Sequence, residues 1–204
     1  KFKHLIIPIN SKLQTIESNS FSMSSIESFV IPETLVDLKD GWCSSLRDLH
    51  KIIVSPENPR YYKYDDKMII GKSSIDKNNY DMLVFCSRNV KKAKIPDFIE
   101  IISSYAFEFC NQLQSIEFST DSKLRIIEKN AFHLTSLNKI MIPRHINKIG
   151  NNAFSYCINL RKIEFQTNSE LQIIESNAFD NTPIISFSIP PHFALASGDI
   201  FGSN

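Results

Sequence analysis

The chain has 204 residues, 42% of them hydrophobic and 22% charged, with a formal net charge of +1. These are the values of a globular chain able to bury a sizeable core, and they exclude extensive disorder. There is no basic excess to argue for a nucleic-acid binder, and no apolar run approaches the roughly 20 residues of a membrane helix.

In chain order, Phe2, Leu5 and Ile7 match the end of a repeat unit, so the chain is expected to begin inside one. Ser11 to Phe21 reads Ser-x-Leu-x-x-Ile, closing on Ser20-Phe21. From Pro32 the next set is Leu35, Leu38, Cys43, Leu46, Leu49, Ile52 and Val54. The step from Val54 to the matching Ile95 is then 41 residues, where regular subunits step by 22 or 25. The excess holds Pro56, Asn58-Pro59, the cluster Tyr61, Tyr62 and Tyr64, and two apolar runs, 68–70 and 83–86, around polar residues 72–79. This predicts an irregular, hairpin-bearing coil over residues 55–94 within one array spanning 1–204.

The Pro32 offsets return from Pro96 (Ile99, Ile102, Phe107, Cys110, Leu113, Ile116, Phe118) and from Pro143 (Ile146, Ile149, Phe154, Cys157, Leu160, Ile163, Phe165). Ile95-Pro96, Ile142-Pro143 and Ile189-Pro190 step by 47, while Phe107, Phe132, Phe154 and Phe179, each preceded by alanine, step by 25, 22 and 25. The 47-residue unit is therefore two unequal subunits, the other reading Ser-x-Leu-x-x-Ile-x-x-x-Ala-Phe at Ser122 to Phe132 and Ser169 to Phe179. Each closes on an alternating set such as Leu137, Ile140 and Ile142, which predicts a short strand. One subunit cannot bury its own apolar face; stacked subunits share a core, the logic of a solenoid. After Pro190 come Phe193, Ala196 and Phe201, and the sequence stops at Asn204 before another strand. With no polar capping repeat at either end, the expectation is a segment truncated mid-repeat, its uncapped ends favouring self-association.

The run Ile149-Gly150-Asn151-Asn152-Ala153-Phe154-Ser155-Tyr156-Cys157-Ile158-Asn159-Leu160 resembles the BspA-like leucine-rich repeat family, and the resemblance covers essentially the whole chain. The 47-residue alternation is most similar to the large trichomonad branch. The resemblance implies an α/β-type leucine-rich repeat solenoid, mostly short parallel strands with irregular or short helical returns. It also implies a cell-surface or secreted antigen adhering to host, matrix or neighbouring-cell molecules. The alternative is a cytoplasmic protein-interaction scaffold of the same fold, motivated by unpaired cysteines and the lack of any Asn-x-Ser/Thr acceptor. Cys43 replaces the repeat's phenylalanine, Leu46 its cysteine, and Lys39 and Ser103 its glycine, as in degenerate repeats.

No catalytic residue, cofactor or metal is assigned, and the chain is not expected to be an enzyme. Cys43, Cys86, Cys110 and Cys157 form no Cys-x-x-Cys, and two coils at about 4.8 Å spacing hold Cys110 and Cys157 too far apart for a disulfide. Both are expected as buried thiols. His4, His50, His133, His145 and His192 lack metal-ligand spacing and read as surface residues. Asp65-Asp66 reads as a polar turn, since no calcium-loop pattern follows.

The strands' spacer residues should point outward and form one face. Eight of them are basic (Lys3, Lys51, Lys91, Lys92, Lys94, Lys139, Arg161 and Lys162) and three acidic (Glu27, Glu117 and Glu164). Ile6, Val30, Ile53 and Met141 add an apolar row. The candidate contact residues are Lys51, Lys91, Lys92, Lys94, Lys139, Met141, Arg161 and Lys162, facing an acidic protein patch or an anionic glycan. Glu117 and Glu164 interrupt the positive charge and argue against duplex nucleic acid.

Overall fold

The computed structural model describes residues 3–8, 10–188, 190, 191, 193, 195, 196 and 198–202. Phe2, Ile189 and His192, named above, lie outside the described residues. In chain order the first strands are β1 (His4–Leu5), β2 (Thr15–Ile16), β3 (Ser28–Ile31), β4 (Asp37–Leu38), β5 (Lys51–Val54) and β6 (Tyr61–Lys63). Next come β7 (Met68–Gly71), β8 (Met82–Cys86), β9 (Lys92–Ile95), β10 (Ile101–Ile102), β11 (Ser115–Phe118) and β12 (Ile126–Ile127). The last are β13 (Lys139–Ile142), β14 (Lys148–Ile149), β15 (Lys162–Phe165), β16 (Ile173–Ile174), β17 (Ser186–Phe187) and β18 (Leu195–Ala196).

They form a solenoid with two parallel ladders. The front ladder runs β1-β3-β5, then β9-β11, then β13-β15-β17; the back ladder pairs β2 with β4, then runs from β8 through β10, β12, β14 and β16 to β18. Front strands follow the alternation read from sequence: in β13, Lys139 and Met141 are exposed while Ile140 and Ile142 are buried. The proline after a front strand lacks an N–H and ends it. Its carbonyl then accepts the N–H three residues on, as Pro32 does from Leu35, Pro96 from Ile99 and Pro143 from Ile146. The longer subunits turn the same corner with a serine hydroxyl, which accepts from Leu13, Leu124 and Leu171 N–H at 3.1, 3.3 and 3.4 Å.

The back strands were not foreseen, because two residues are too few to show alternation. Nor do helical returns form among the described residues. Each return carries two residues with positive φ, four apart: Asn130 and Leu134, Asn152 and Tyr156, Asn177 and Asn181, with Gly41 and Ser45 equivalent to them. Left-handed residues reverse the helical sense, and asparagine and glycine tolerate them best. The return's N–H groups reach forward to the next coil, Phe132 to Ala153 O at 2.7 Å and Leu134 to Ser155 O at 3.1 Å. Gly150 has an ordinary φ, but a Cβ there would meet the Glu128–Lys129 backbone at 2.8 Å. Replacing Asn130 by alanine is expected to destabilise by about 1 kcal/mol, while glycine stays within about 0.5 kcal/mol; urea unfolding of both variants measures the difference.

Inside, Phe107, Phe132, Phe154 and Phe179 stack with centroids 4.8, 5.0 and 5.5 Å apart, all buried. Two core clusters meet at the irregular coil. Ile69, Val84 and Phe85 pack into the N-terminal cluster, while Met68, Ile70, Leu83 and Cys86 pack into the C-terminal one. Strands β7 and β8 therefore act as a partition. The coil holds a three-stranded antiparallel meander, β6-β7-β8, so the expected hairpin gains a strand from the tyrosine cluster, and β8 opens the back ladder.

This coil lacks the Ala-Phe return, and side chains replace the missing backbone. Arg88, buried, donates to Leu46 O at 3.2 Å, Ala106 O at 2.9 Å and Tyr105 O at 3.1 Å, with longer contacts to Cys43 O and Cys86 O. Ala106 O is the counterpart of Ala131 O, which accepts a return N–H from Phe107; here the Cys86 N–H at 2.9 Å takes that place and Arg88 adds a second donor. Ser45 N–H finds no forward carbonyl and donates to Glu108 Oε2 at 2.8 Å. In the back ladder, Arg60 Nη1 donates to Val36 O at 2.6 Å, and buried Asn58 donates to Pro32 O and Leu35 O. Asp81 anchors residues 72–79 by accepting from Ser73 N–H, Ser73 Oγ and the Lys77 ammonium. Burial works to raise the Asp81 carboxyl pKa, but the Lys77 and Ser73 bonds outweigh it and hold it below its ordinary value.

Candidate binding surface

All eight candidate contact residues stand exposed on the front ladder or at its edge. The register places Lys92 beside Ser115, Lys94 beside Glu117, Lys139 beside Lys162, and Met141 beside Glu164. Lys162 is held by Glu164 at 2.6 Å, and Lys3 by Glu27 at 2.7 Å. Among the described residues, Lys51, Lys91, Lys92, Lys94, Lys139 and Arg161 make no ion pair. The apolar row is uneven: Ile6, Ile53 and Met141 are 82, 48 and 44% exposed, whereas Val30 is half-buried.

The face is not continuous. β5 has no ladder partner on its β9 side, and the β6–β7 turn reaches the front there. Asp65, Lys67 and Met68 form with Lys92, Lys94 and Glu117 a notch of about 250 Å³. The Asp65 carboxylate accepts from the N–H groups of Lys67 and Met68, and Asp66 pairs with Lys63 at 2.9 Å, so this pair builds a polar turn. The meander thus brings Lys67 to Lys92 and Lys94, a neighbour that strand spacing alone did not name.

On the other side of the meander lies a cleft of about 480 Å³ between the corner around Leu38–Trp42 and the residues near Ser103 and Glu128. It exists because the irregular coil has no return there to fill the space. At the position equivalent to Gly150, Ser103 has room for its side chain and lines the cleft. Neither the cleft nor the Arg88 contacts carry a sequence motif; the missing Ala-Phe between residues 55 and 94 was the only signal that something had to stand in for a return.

The four cysteines are free and buried. Burial pushes the Cys43 thiol up to about 12 and the Cys157 thiol up to about 11, so neither supplies a thiolate at neutral pH. His133 departs from the expected surface role. It is half-buried edge-on between Phe109 and Tyr156, accepts or donates to Ser155 Oγ at 2.7 Å, and burial lowers its pKa. The cause is its place between two left-handed residues, which stacks it on the neighbouring returns. His145 pairs with Glu170 at 2.9 Å, and His4 and His50 are exposed.

The family model for the BspA type leucine rich repeat region matches residues 1–65 and 78–204 in six copies. The chain belongs to that family. The unmatched residues fall in the meander and the loop anchored by Asp81. Among solved structures, a leucine-rich repeat protein from Eubacterium ventriosum aligns with a TM-score of 0.67 at 18% identity, over 92% of this chain and 61% of that one. The pneumococcal vaccine antigen PcpA aligns with a TM-score of 0.56 at 17% identity, over 90% of this chain and 54% of that one. At such identities the likeness concerns the fold, and this BspA-type chain spans less than two thirds of either. A comparison with curated proteins found no match. Membership of this repeat family points to a protein-interaction or adhesion module built on a non-enzymatic scaffold. No helix among the described residues is long and apolar enough to cross a membrane.

Proposed function

We propose that the chain is the adhesive part of a surface or secreted BspA-type protein, binding host, matrix or cell-surface molecules through its front ladder. The observation that carries this is the set of six front-face cations without ion-pair partners among the described residues, Lys51, Lys91, Lys92, Lys94, Lys139 and Arg161, beside exposed Met141. Cations left without internal partners are free to meet carboxylates or sulfates, which speeds encounter and orients a partner. An acidic protein patch or an anionic glycan has that chemistry. Lys162 stands apart because Glu164 already holds it.

Changing Lys91, Lys92 and Lys94 together to glutamate is expected to abolish binding to immobilised matrix proteins and sulfated glycans. Binding of the parent chain should weaken steadily as salt rises. Equal binding by the parent and triple variant would remove the front face as the contact surface. A second reading, an intracellular scaffold, draws on the four free thiols. Antibody labelling of intact cells separates the two, a surface signal excluding the scaffold reading.

A further inference from the structure

The third residue of each four-residue front strand points outward, and the fold does not need an apolar side chain there. It is Lys94 in β9, Glu117 in β11 and Glu164 in β15. On the N-terminal coils the same position is apolar. Val30 of β3 stands beside Ile53 of β5, and the β1–β3 register carried on by one residue adds Ile6. Ile6 is 82% and Ile53 48% exposed, so the core uses little of either. Single exposed apolar residues are ordinary, but a row across adjacent coils marks a contact surface.

Beside this row, the chain leaving β1, β3 and β5 bounds a groove of about 480 Å³. Ile7, Val30, Ile53 and Val54 line it, with Pro32 and Pro56 where the chain turns. Its charged residues are Glu33 and Glu57; no lysine, arginine or histidine lines it. Lys51 stands two residues before Ile53 and is not part of the lining. Both glutamates are exposed, and neither makes an ion pair among the described residues. They follow Pro32 and Pro56 on adjacent coils, whose spacing of about 4.8 Å lets one basic partner serve both. An apolar floor with an uncompensated acidic rim is complementary to an apolar group carried between cations.

We propose that this groove docks a protein segment in which a branched apolar side chain is flanked by basic ones. The apolar side chain seats on Val30, Ile53 and Val54, and the cations meet Glu33 and Glu57. An anionic glycan has neither the apolar group nor the charge to fit here. The groove is thus a second contact surface, opposite in preference to the six front-face cations, and it does not depend on the reading given for them.

The test is titration of the isotope-labelled chain with an amidated Arg-Leu-Arg-Leu-Arg peptide, followed by amide NMR. Arg-Ser-Arg-Ser-Arg and Glu-Leu-Glu-Leu-Glu serve as controls. Saturable shifts centred on Ile7, Val30, Ile53 and Ser55 are expected, with both controls binding at least roughly tenfold more weakly. Ile53→Ser should weaken binding about tenfold through lost apolar contact. Glu33→Gln with Glu57→Gln should weaken it about fivefold and remove most of its salt dependence. All three positions are exposed, so these variants keep the fold. Equal binding of the leucine and serine peptides, shifts centred on other coils, or parent-like binding by Ile53→Ser overturns the proposal. The glutamine double variant should bind sulfated glycans as the parent does, and the Lys91, Lys92 and Lys94 reversal should still bind the peptide, so failure on either surface is read separately.

Discussion

Replacing Arg88 with methionine is expected to destabilise the solenoid by about 3–5 kcal/mol, the cost of removing one partner from a buried charged network. Methionine nearly matches the volume, so packing on the Phe85 ring, 4.6 Å from the guanidinium, is largely kept. The hydrogen bonds to Leu46, Tyr105 and Ala106 carbonyls are lost. Ala106 O keeps the Cys86 N–H and Tyr105 O keeps the Glu108 N–H, so the Leu46 carbonyl is the one left without a donor and carries its own desolvation cost. Glu108 loses as well: burial already pushes its pKa up, and the Arg88 charge is among the groups pulling it down. Arg88→Lys keeps the charge without the planar fork and should recover only part of the loss. Guanidinium unfolding of the three proteins measures this, and a loss below about 1 kcal/mol for Arg88→Met would show that water takes over at the Leu46 carbonyl and that the second donors at Ala106 O and Tyr105 O suffice.

Phe154→Ala is expected to cost about 3–5 kcal/mol. Its ring lies between Phe132 and Phe179 with centroids at 5.0 and 5.5 Å, so truncation leaves a void bounded by ring faces on both sides. The backbone on each side is tied to its neighbours, Phe132 N–H to Ala153 O and Phe154 N–H to Ala178 O, which limits collapse into the space. Phe154→Leu should lose less, since it refills part of the volume. In a solenoid each coil touches only its neighbours. Amide exchange should therefore rise on both sides of Phe154 and stay unchanged near Trp42. Uniform loss of protection along the whole chain would contradict this local picture.

The repeat and the front strands were legible because their signal is local and recurs: Ile140 and Ile142 alternate with Lys139 and Met141, and Ile163 and Phe165 with Lys162 and Glu164. The outward direction of Lys92, Lys94 and Lys139 follows from that alternation. The back ladder was not legible, since Ile101–Ile102 or Ile126–Ile127 alone fit a strand, a turn or a helix. Left-handed returns had a partial sign in Asn130, Asn152 and Asn177, but Tyr105, Leu134 and Tyr156 adopt positive φ against their own preference. Stacking on neighbouring coils decides there, which no window of sequence contains. Arg88 is the clearest case: its partners Cys43, Leu46, Tyr105 and Ala106 lie on both sides of it in sequence. The Lys162–Glu164 pair, which lowers the free charge of the front face, was readable from two spacers on one strand.

Twelve of the described left-handed residues carry side chains and three are glycine, in a chain with five glycines in all. A glycine at every corner would relax the native backbone, yet it would also widen the ensemble the chain must abandon on folding. Using asparagine and bulkier residues instead leaves some strain in the folded coil and keeps the unfolded chain more restricted. The two effects oppose each other at every corner, which is why glycine at Asn130 should be nearly neutral. The thermodynamic advantage of this sequence lies partly in a state that no structure displays: an unfolded chain with less freedom to lose.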